Sequence, residues 1–210
     1  MTETEALRPP RRRRTASSAI VTSTVNGTRG VGNVWVFGYG SLIWRPGIAY
    51  QERRVARVRG WTRRFWQGSH DHRGLPHAPG RVVTLVPEAG ASCEGVAYRV
   101  GEAVAKATFE GLDHREKNGY RRHSVQLEFR LGGTSAGIVY IAPVDNHAFL
   151  GPAPVDEMIA QISRAAGPSG TNLDYLRQLE SALRRLEIDD PHVFELAHRL
   201  RESRPQAAAG

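Results

Sequence analysis

The segment Val34 to Leu42 constrains the fold of this chain more than any other. It is a run of apolar residues followed by a turn that contains two glycines. The sequence Val-Trp-Val-Phe predicts a buried strand, and Gly38-Tyr39-Gly40-Ser41 predicts a tight turn directly after it. Glycines in such a turn let consecutive backbone N–H groups point at an anion, and the Ser41 hydroxyl adds another donor. The segment therefore predicts either a carboxylate-binding loop or an ordinary turn after a core strand.

The spacing of this turn excludes two well-known motifs. A dinucleotide-binding fingerprint, G-x-G-x-x-G, would need its third glycine at position 43, where the chain has Ile43. A nucleophile elbow, G-x-S-x-G, is absent because Ser41 follows Gly40 directly. The turn therefore predicts neither a nucleotide site nor a serine nucleophile.

The rest of the sequence separates into strands followed by helices. Runs of β-branched and aromatic residues predict strands at 55–66, 82–86, 95–100, 125–129 and 138–141, with a turn at 87–92. Apolar spacing and capping residues predict helices at 102–116, 155–166, 172–186 and 192–200, the third capped by Thr171 or Asn172. Because strands and helices do not alternate regularly, the predicted class is α+β rather than a doubly wound sheet.

Positive charge is concentrated at the N-terminus of this chain, whose net charge is +8. Residues 1–30 hold six arginines and two glutamates. This is a surplus of four positive charges, half of the net charge of the chain. Enrichment in Arg, Ser and Thr without periodicity predicts a disordered tail at 1–32, followed by a single domain at 33–204 and a flexible C-terminus at 205–210. Because half of the excess charge lies in the tail, the net charge does not favour a nucleic-acid-binding domain.

The composition also bears on the compartment. No stretch approaches the roughly 20 apolar residues of a membrane-spanning helix, and the N-terminus lacks the apolar run of a secretory signal. The single cysteine, Cys93, agrees with a reducing environment. We therefore expect a cytoplasmic protein that does not enter the membrane. A targeting peptide is a second interpretation of the tail, weakened by Glu3 and Glu5.

Two further groups of polar residues are candidates for sites. His70, His72 and His77 lie close in sequence, but no Cys/His or carboxylate spacing accompanies them, so no metal site is predicted. Glu116 lies between Arg115 and Lys117 near a helix end, and taken alone this pattern is typical of a solvated surface charge.

An ordered series of tracts carries a family resemblance. The first is Val34–Trp44, which contains the glycine turn, and the tract Leu112–Tyr120 contains Glu116. The others are Arg64–Ser69, Asp71–Gly74, Pro79–Leu85, Phe149–Pro154 and Gly167–Asn172. In this order the tracts resemble the ChaC family of glutathione-specific γ-glutamylcyclotransferases.

The resemblance implies a γ-glutamylcyclotransferase-like mixed β-barrel with flanking helices, and an enzyme that cleaves glutathione to 5-oxoproline and Cys-Gly. The α-amine of the substrate attacks its own γ-carbonyl in this reaction, with Glu116 as general base and then acid. The implied reaction needs no cofactor and no metal. The implied substrate-binding residues are Val36, Phe37, Gly38, Tyr39, Gly40, Ser41 and Leu42.

Two other functions are compatible with the same residues. A cyclotransferase for other γ-glutamyl amines or amino acids would use the same loop and Glu116. The loop and Glu116 contact only the glutamyl half, which all these substrates have in common. A non-catalytic protein on the same scaffold would bind a ligand without turnover. The sequence leaves the choice among these functions, and the oligomeric state, open.

Overall fold

The computed structural model describes residues 33–203, so the predictions for 1–32 and 205–210 lie outside the described residues. The main sheet is formed by β1 (Val34–Gly38), β2 (Glu52–Ser69), β3 (Gly80–Val100), β4 (Arg121–Phe129) and β5 (Thr134–Ile141). The helices are α1 (Glu102–Arg115), α2 (Val155–Arg164), α3 (Asn172–Arg185) and α4 (Pro191–Glu202). Two short strands, β6 (Ala166–Gly167) and β7 (Gly170–Thr171), form a hairpin between α2 and α3.

The long strands close into a barrel in the order β1-β3-β2-β4-β5. Strand β1 pairs antiparallel with β3, where Val34 lies opposite Val100, and parallel with β5, where Trp35 lies opposite Gly137. The predicted mixed β-barrel with flanking helices, and the α+β class, are confirmed. Because β1 is paired along both of its edges, the glycine turn that follows it starts from a fixed position.

The prediction of two separate strands at 82–86 and 95–100 is wrong. Strand β3 continues for 21 residues through the expected turn at 87–92. The ladder with β2 resumes on both sides, with Arg59 opposite Ser92 and Trp61 opposite Pro87, so residues 88–91 bulge out opposite Gly60. The turn-forming residues are accommodated in this bulge because the 18-residue partner strand pairs with both halves of β3.

The same irregularity changes which side chains of β2 face inward. Before Gly60 the buried residues are Ala56 and Val58, whereas after it they include Arg63 and Phe65. The alternation therefore shifts by one residue, as a bulge requires. It places Arg63 inside the protein with a fully buried side chain.

Helix boundaries follow the capping signals of the sequence closely. The hydroxyl of Thr171 accepts a hydrogen bond from the N–H of Asp174 at 3.0 Å, which confirms Thr171 as the cap of α3. Helix α2 ends earlier than predicted because Ala166 and Gly167 pair with β7 instead. No helix within residues 33–203 has both the length and the apolar character needed to cross a membrane.

Helix α1 is attached to the barrel beside the glycine turn. Its residues Phe109 and Leu112 belong to one buried cluster with Val36 of β1 and Leu42 of the turn. This packing brings the C-terminal end of α1 to the end of β1. It thereby places the segment that follows α1 next to the loop that follows β1.

Gly95 of β3 lies where β1 and β3 approach each other closely. A Cβ at this position would lie 2.3 Å from the carbonyl oxygen of Gly38 and 2.9 Å from Cζ of Phe37. We predict that Gly95→Ala lowers the free energy of unfolding by about 1–3 kcal/mol, measured by urea denaturation.

The matched control is Gly111→Ala in α1, where a Cβ would meet nothing within 4 Å. Alanine has the higher helix propensity, so this variant is expected to gain up to about 1 kcal/mol. Equal unfolding midpoints for Gly95→Ala and the wild type would contradict the tight approach.

Candidate active site

Two glycines let the loop after β1 turn within a few residues. A Cβ on Gly38 would lie 2.6 Å from Cβ of Leu42, a distance that leaves no room for a side chain. A Cβ on Gly40 would lie 3.0 Å from both Oη of Tyr175 and Cγ2 of Val83. The backbone of the loop therefore packs directly against neighbouring side chains.

The backbone N–H groups of this loop are available to a ligand. After Gly40 the chain forms a short 3-10 helix, Ser41–Ile43, in which the N–H of Ile43 donates to the carbonyl of Gly40 at 3.0 Å. Within residues 33–203, no acceptor is hydrogen-bonded to the N–H groups of Gly40, Ser41 or Leu42. Unpaired N–H groups at the start of a helical turn favour a negatively charged ligand.

Glu116 is the first residue after α1, and its N–H still donates to the carbonyl of Leu112 at 2.8 Å. Its side chain is only 16% exposed, so it is not a freely solvated surface charge. It borders two cavities, one of about 350 Å³ and one of about 50 Å³. Because Ser41, Tyr120 and Tyr175 also line both cavities, Glu116 lies where the two adjoin.

The surroundings of Glu116 favour the protonated form of its carboxyl. Burial raises the pKa of Glu116, the guanidinium of Arg115 lowers it, and the nearby carboxylate of Asp71 raises it, with a net upward shift. The Nε of Arg115 lies 3.4 Å from Oε1 of Glu116. A carboxyl in this environment can hold and release a proton nearer to neutral pH than an exposed glutamate.

Arg115 connects Glu116 to the glycine loop. Its Nη2 donates to Oγ of Ser41 at 2.7 Å, and its Nη1 donates to the carbonyls of Arg45 and Pro46 at 3.0 Å each. One guanidinium thus contacts both the loop and the carboxyl of Glu116. This arrangement fixes the position of the carboxyl relative to the loop amides.

Comparison with known proteins identifies the family of this chain. A family profile described as ChaC-like protein matches residues 34–203. The chain belongs to the ChaC-like family. It is 39% identical over 175 residues to glutathione-specific gamma-glutamylcyclotransferase 1 of Danio rerio, a match covering 80% of this chain and 88% of that protein. It is 43% identical over 178 residues to gamma-glutamylcyclotransferase 2-3 of Arabidopsis thaliana, with the same coverage.

A solved structure shares the fold of this ChaC-like chain. The crystal structure of the γ-glutamyl cyclotransferase specific to glutathione from yeast superposes with a TM-score of 0.78 at 31% sequence identity. The match covers 86% of this chain and 100% of the yeast chain. The overall fold of this chain is therefore shared with that yeast enzyme.

Tyrosine side chains form much of the wall of the smaller cavity in this ChaC-like chain. Tyr39 donates its hydroxyl to the carbonyl of Tyr140 at 2.8 Å, and Tyr120 donates to the carbonyl of Val83 at 2.8 Å. Burial raises the pKa of Tyr39, Tyr120 and Tyr175 above the ordinary value. These residues therefore stay neutral beside Glu116 and act as walls and hydrogen-bond donors rather than bases.

The structure brings most of the sequence-predicted site residues together. Those that line the smaller cavity are Phe37, Tyr39, Gly40, Ser41, Leu42 and Glu116. Val36 and Gly38 do not line either cavity. Val36 is fully buried under α1, and Gly38 pairs with Val96 of β3, so both support the loop from behind.

Sequence reasoning did not single out several residues that line the larger cavity. Asp71 and Arg73 lie in the turn after β2, and their only signal was the Asp-His-Arg-Gly tract of the family resemblance. Tyr175 comes from α3 and has no local signal, because an aromatic residue at helical spacing is usually a core residue. Among the described residues there is no group of three or more His, Cys, Asp or Glu side chains arranged to hold a metal ion.

The electrostatics of Glu116 can be tested directly by NMR titration of its carboxyl carbon. We predict a midpoint above the ordinary glutamate value of about 4.3. Arg115→Gln should raise the midpoint further, because this substitution removes the positive charge that lowers the pKa.

Arg121→Gln is the control, since Arg121 is exposed, pairs with Asp145 and lines neither cavity. It should leave the titration of Glu116 unchanged. A wild-type midpoint at or below the ordinary value would show that the carboxyl is solvated.

Proposed function

We propose that this ChaC-like chain is a γ-glutamylcyclotransferase that converts glutathione to 5-oxoproline and Cys-Gly. The observation that carries the proposal is the meeting of a buried carboxyl, Glu116, with the free N–H groups of Gly40, Ser41 and Leu42 at one cavity. The similarity to relatives named for this reaction supports the same conclusion.

The reaction needs no nucleophile from the protein. The α-amine of the glutamyl group attacks the γ-carbonyl, a new C–N bond closes the five-membered ring, and the amide bond to cysteine breaks. The protein must therefore fold the glutamyl chain back on itself. Holding reacting groups in this way can contribute up to roughly 7–11 kcal/mol to lowering a barrier.

Glu116 moves protons in this scheme. The substrate arrives with a protonated α-amine, whose lone pair is released only when a base accepts a proton. Glu116 takes this proton and then supplies it to the nitrogen of the departing Cys-Gly. Burial raises the pKa of Glu116. Its carboxyl is therefore better suited than that of an exposed glutamate both to accept a proton and to release one.

The loop supplies donors for the negative charge of the glutamyl half. The N–H groups of Gly40, Ser41 and Leu42 are suited to two roles: binding the α-carboxylate, or stabilising the oxyanion that forms when the amine attacks. Phe37 and Tyr39 close the cavity behind them. Val36 and Gly38 hold the loop in place from the barrel side.

The larger cavity has the charge needed to bind the Cys-Gly half of glutathione. The side chain of Arg73 is buried, donates to the carbonyl of Thr171 at 3.2 Å, and stacks 5.7 Å from the ring of Tyr175. Within residues 33–203 no carboxylate lies within 4.0 Å of it. A buried cation without a carboxylate partner favours an anionic ligand, which here is the glycine carboxylate of glutathione.

The cation at Arg73 distinguishes glutathione from the alternative substrates. γ-Glutamyl amines that end in a neutral group would leave this buried charge unpaired, and so should be poorer substrates. We also propose that the enzyme works in the cytoplasm, where glutathione is kept reduced, since its single cysteine, Cys93, is a free thiol.

Glu116→Gln tests the proposed role of the carboxyl. The variant keeps the shape of the side chain and removes its ability to carry a proton, so kcat for 5-oxoproline release should fall by about 10²–10⁴-fold. The matched control is Glu110→Gln on the preceding helix, α1, whose carboxylate is exposed and lies outside both cavities.

The stability of Glu116→Gln separates loss of chemistry from loss of fold. Burial raises the folded-state pKa of Glu116, so the stability that its protonated form contributes below the unfolded pKa is lost as pH rises through the folded pKa. Glutamine stays neutral, and the variant should be more stable than wild type at pH 8 but not at pH 3. Wild-type turnover in a folded Glu116→Gln enzyme would reject the mechanism.

Substrate selection is tested with Arg73→Gln and two substrates, glutathione and glutathione amidated at the glycine carboxylate. Wild type should prefer glutathione in kcat/KM, and Arg73→Gln should lose most of that preference by raising KM for glutathione. A charge-assisted hydrogen bond of this kind corresponds to a change of roughly ten-fold or more. An unchanged preference in the variant would remove Arg73 from substrate recognition.

A further inference from the structure

The proposed reaction transfers two protons between nitrogen atoms of the substrate. The carboxyl of Glu116 carries one of them in the scheme above. The α-ammonium of glutathione carries three protons, and the ring nitrogen of 5-oxoproline keeps one. The amide nitrogen of cysteine carries one proton, and the ammonium of the released Cys-Gly carries three. Two protons must therefore pass from the attacking nitrogen to the leaving nitrogen, and Glu116 can hold only one at a time.

A second carboxylate borders the same cavity. Asp71 lies in the turn after β2, which is held by a hydrogen bond from the N–H of Arg73 to Oγ of Ser69 at 2.9 Å. It is close enough to Glu116 for its negative charge to raise the pKa of that carboxyl, and to affect the hydroxyl of Tyr120 as well. Two carboxyl groups thus line one cavity of a site that, in the proposed reaction, moves two protons.

One oxygen of Asp71 is free to accept a hydrogen bond from a ligand. Oδ1 is shielded from solvent and has no hydrogen-bond partner within residues 33–203. The other oxygen, Oδ2, lies 3.9 Å from Nε2 of His72, which is too long for a hydrogen bond. A shielded carboxylate oxygen without a donor is costly unless a bound ligand supplies one.

The position of Asp71 indicates which nitrogen of the substrate it faces. Asp71 lines the larger cavity, whereas the loop amides of Gly40 and Leu42 line the smaller one. Glu116 borders both. A glutamyl group bound at the loop would therefore direct its γ-amide past Glu116 toward the cavity that Asp71 lines.

We propose, on the basis of the proposed function, that Asp71 is a second catalytic carboxylate that accepts a proton and pairs with the nitrogen of the departing Cys-Gly. Glu116 takes the first proton from the α-ammonium, the new C–N bond forms, and Glu116 returns that proton as the amide bond breaks. The second proton leaves the ring nitrogen and reaches the departing amine through Asp71. The product is an ammonium held against a carboxylate.

Other charged groups around the two carboxyls set the background for any pH measurement. The basic side chains that line the larger cavity are Arg45, His72, Arg73 and Arg115, and the phenols that line it are those of Tyr120 and Tyr175. Burial raises the pKa of both phenols, so they stay neutral across the range of the assay. His72 is the exposed imidazole of this set.

Asp71→Asn tests the proposal by its kinetics and its pH profile. The variant should lower kcat for glutathione by about 10²-fold, with a much smaller change in KM, because it removes one proton carrier and keeps the shape. The acid limb of kcat/KM should move to lower pH, since the substitution removes the negative charge that raises the pKa of Glu116. His72→Gln, assayed in parallel, should leave the position of this limb unchanged.

Asp71→Ala with added formate provides an independent test. A small carboxylate can enter the space of the missing side chain, so turnover should rise with formate concentration and not with chloride at equal ionic strength. Asp145→Asn is the matched control, because Asp145 is exposed and lies outside both cavities. Its kinetics should equal those of the wild type.

The outcomes separate the two proposals. Wild-type kcat and an unmoved acid limb in Asp71→Asn, or no response of Asp71→Ala to formate, would overturn the role of Asp71. If Glu116→Gln is inactive in the same assay, the proposed function stands without Asp71. If the wild-type enzyme releases no 5-oxoproline from glutathione, the proposed function and the role of Asp71 fall together.

Discussion

The site depends on the packing of the end of α1 against the end of β1. The cluster that joins Leu112 to Val36 and Leu42 brings a helix C-terminus beside a glycine turn, although the two segments are far apart in the sequence. The first residue after the helix is Glu116, and the loop after the strand has unpaired N–H groups at Gly40 and Ser41. An apolar contact thus determines where a proton carrier meets a set of anion-binding donors.

A buried arginine fixes the same loop from the opposite side. Arg63 donates from Nε to the carbonyl of Tyr39 at 2.7 Å, from Nη1 to Oδ2 of Asp190 at 2.5 Å, and from Nη2 to the carbonyl of Glu94 at 2.5 Å. Its charge is compensated by Asp190, the residue that also caps α4. The loop is therefore held by Arg115 on the cavity side and by Arg63 on the barrel side, so its amides need little reorganisation when substrate binds.

Local sequence patterns predicted the elements of this fold well, because each pattern reports a short-range requirement. The apolar run at Val34 and the cap at Thr171 both appear where the sequence places them. The bulge opposite Gly60 was not predictable, since a turn-like segment such as 87–92 becomes part of a strand only when a long partner pairs with both of its sides. The inward orientation of Arg63 follows from that bulge, so it was not predictable from the local sequence either.

The site itself was predictable in part. Glu116 looked like a surface charge by itself, and only the family resemblance assigned it a role; its burial becomes visible when α1 is packed on the barrel. Asp71 and Tyr175 reach the cavity from the turn after β2 and from α3, so their contribution depends on tertiary contacts that no local pattern encodes. The glycine turn was a local signal. That signal left an ordinary turn possible, and the family resemblance assigned substrate binding to the loop residues.

The central claim is that the γ-glutamyl group is folded back between the carboxyl of residue 116 and the loop amides. The most direct test is a crystal structure of the Glu116→Gln enzyme with glutathione bound. We predict that the α-amine lies beside the side chain of residue 116, with a glutamyl oxygen on the N–H groups of Gly40 to Leu42. Glutathione bound with its glutamyl group extended into solvent, or away from this loop, would contradict it.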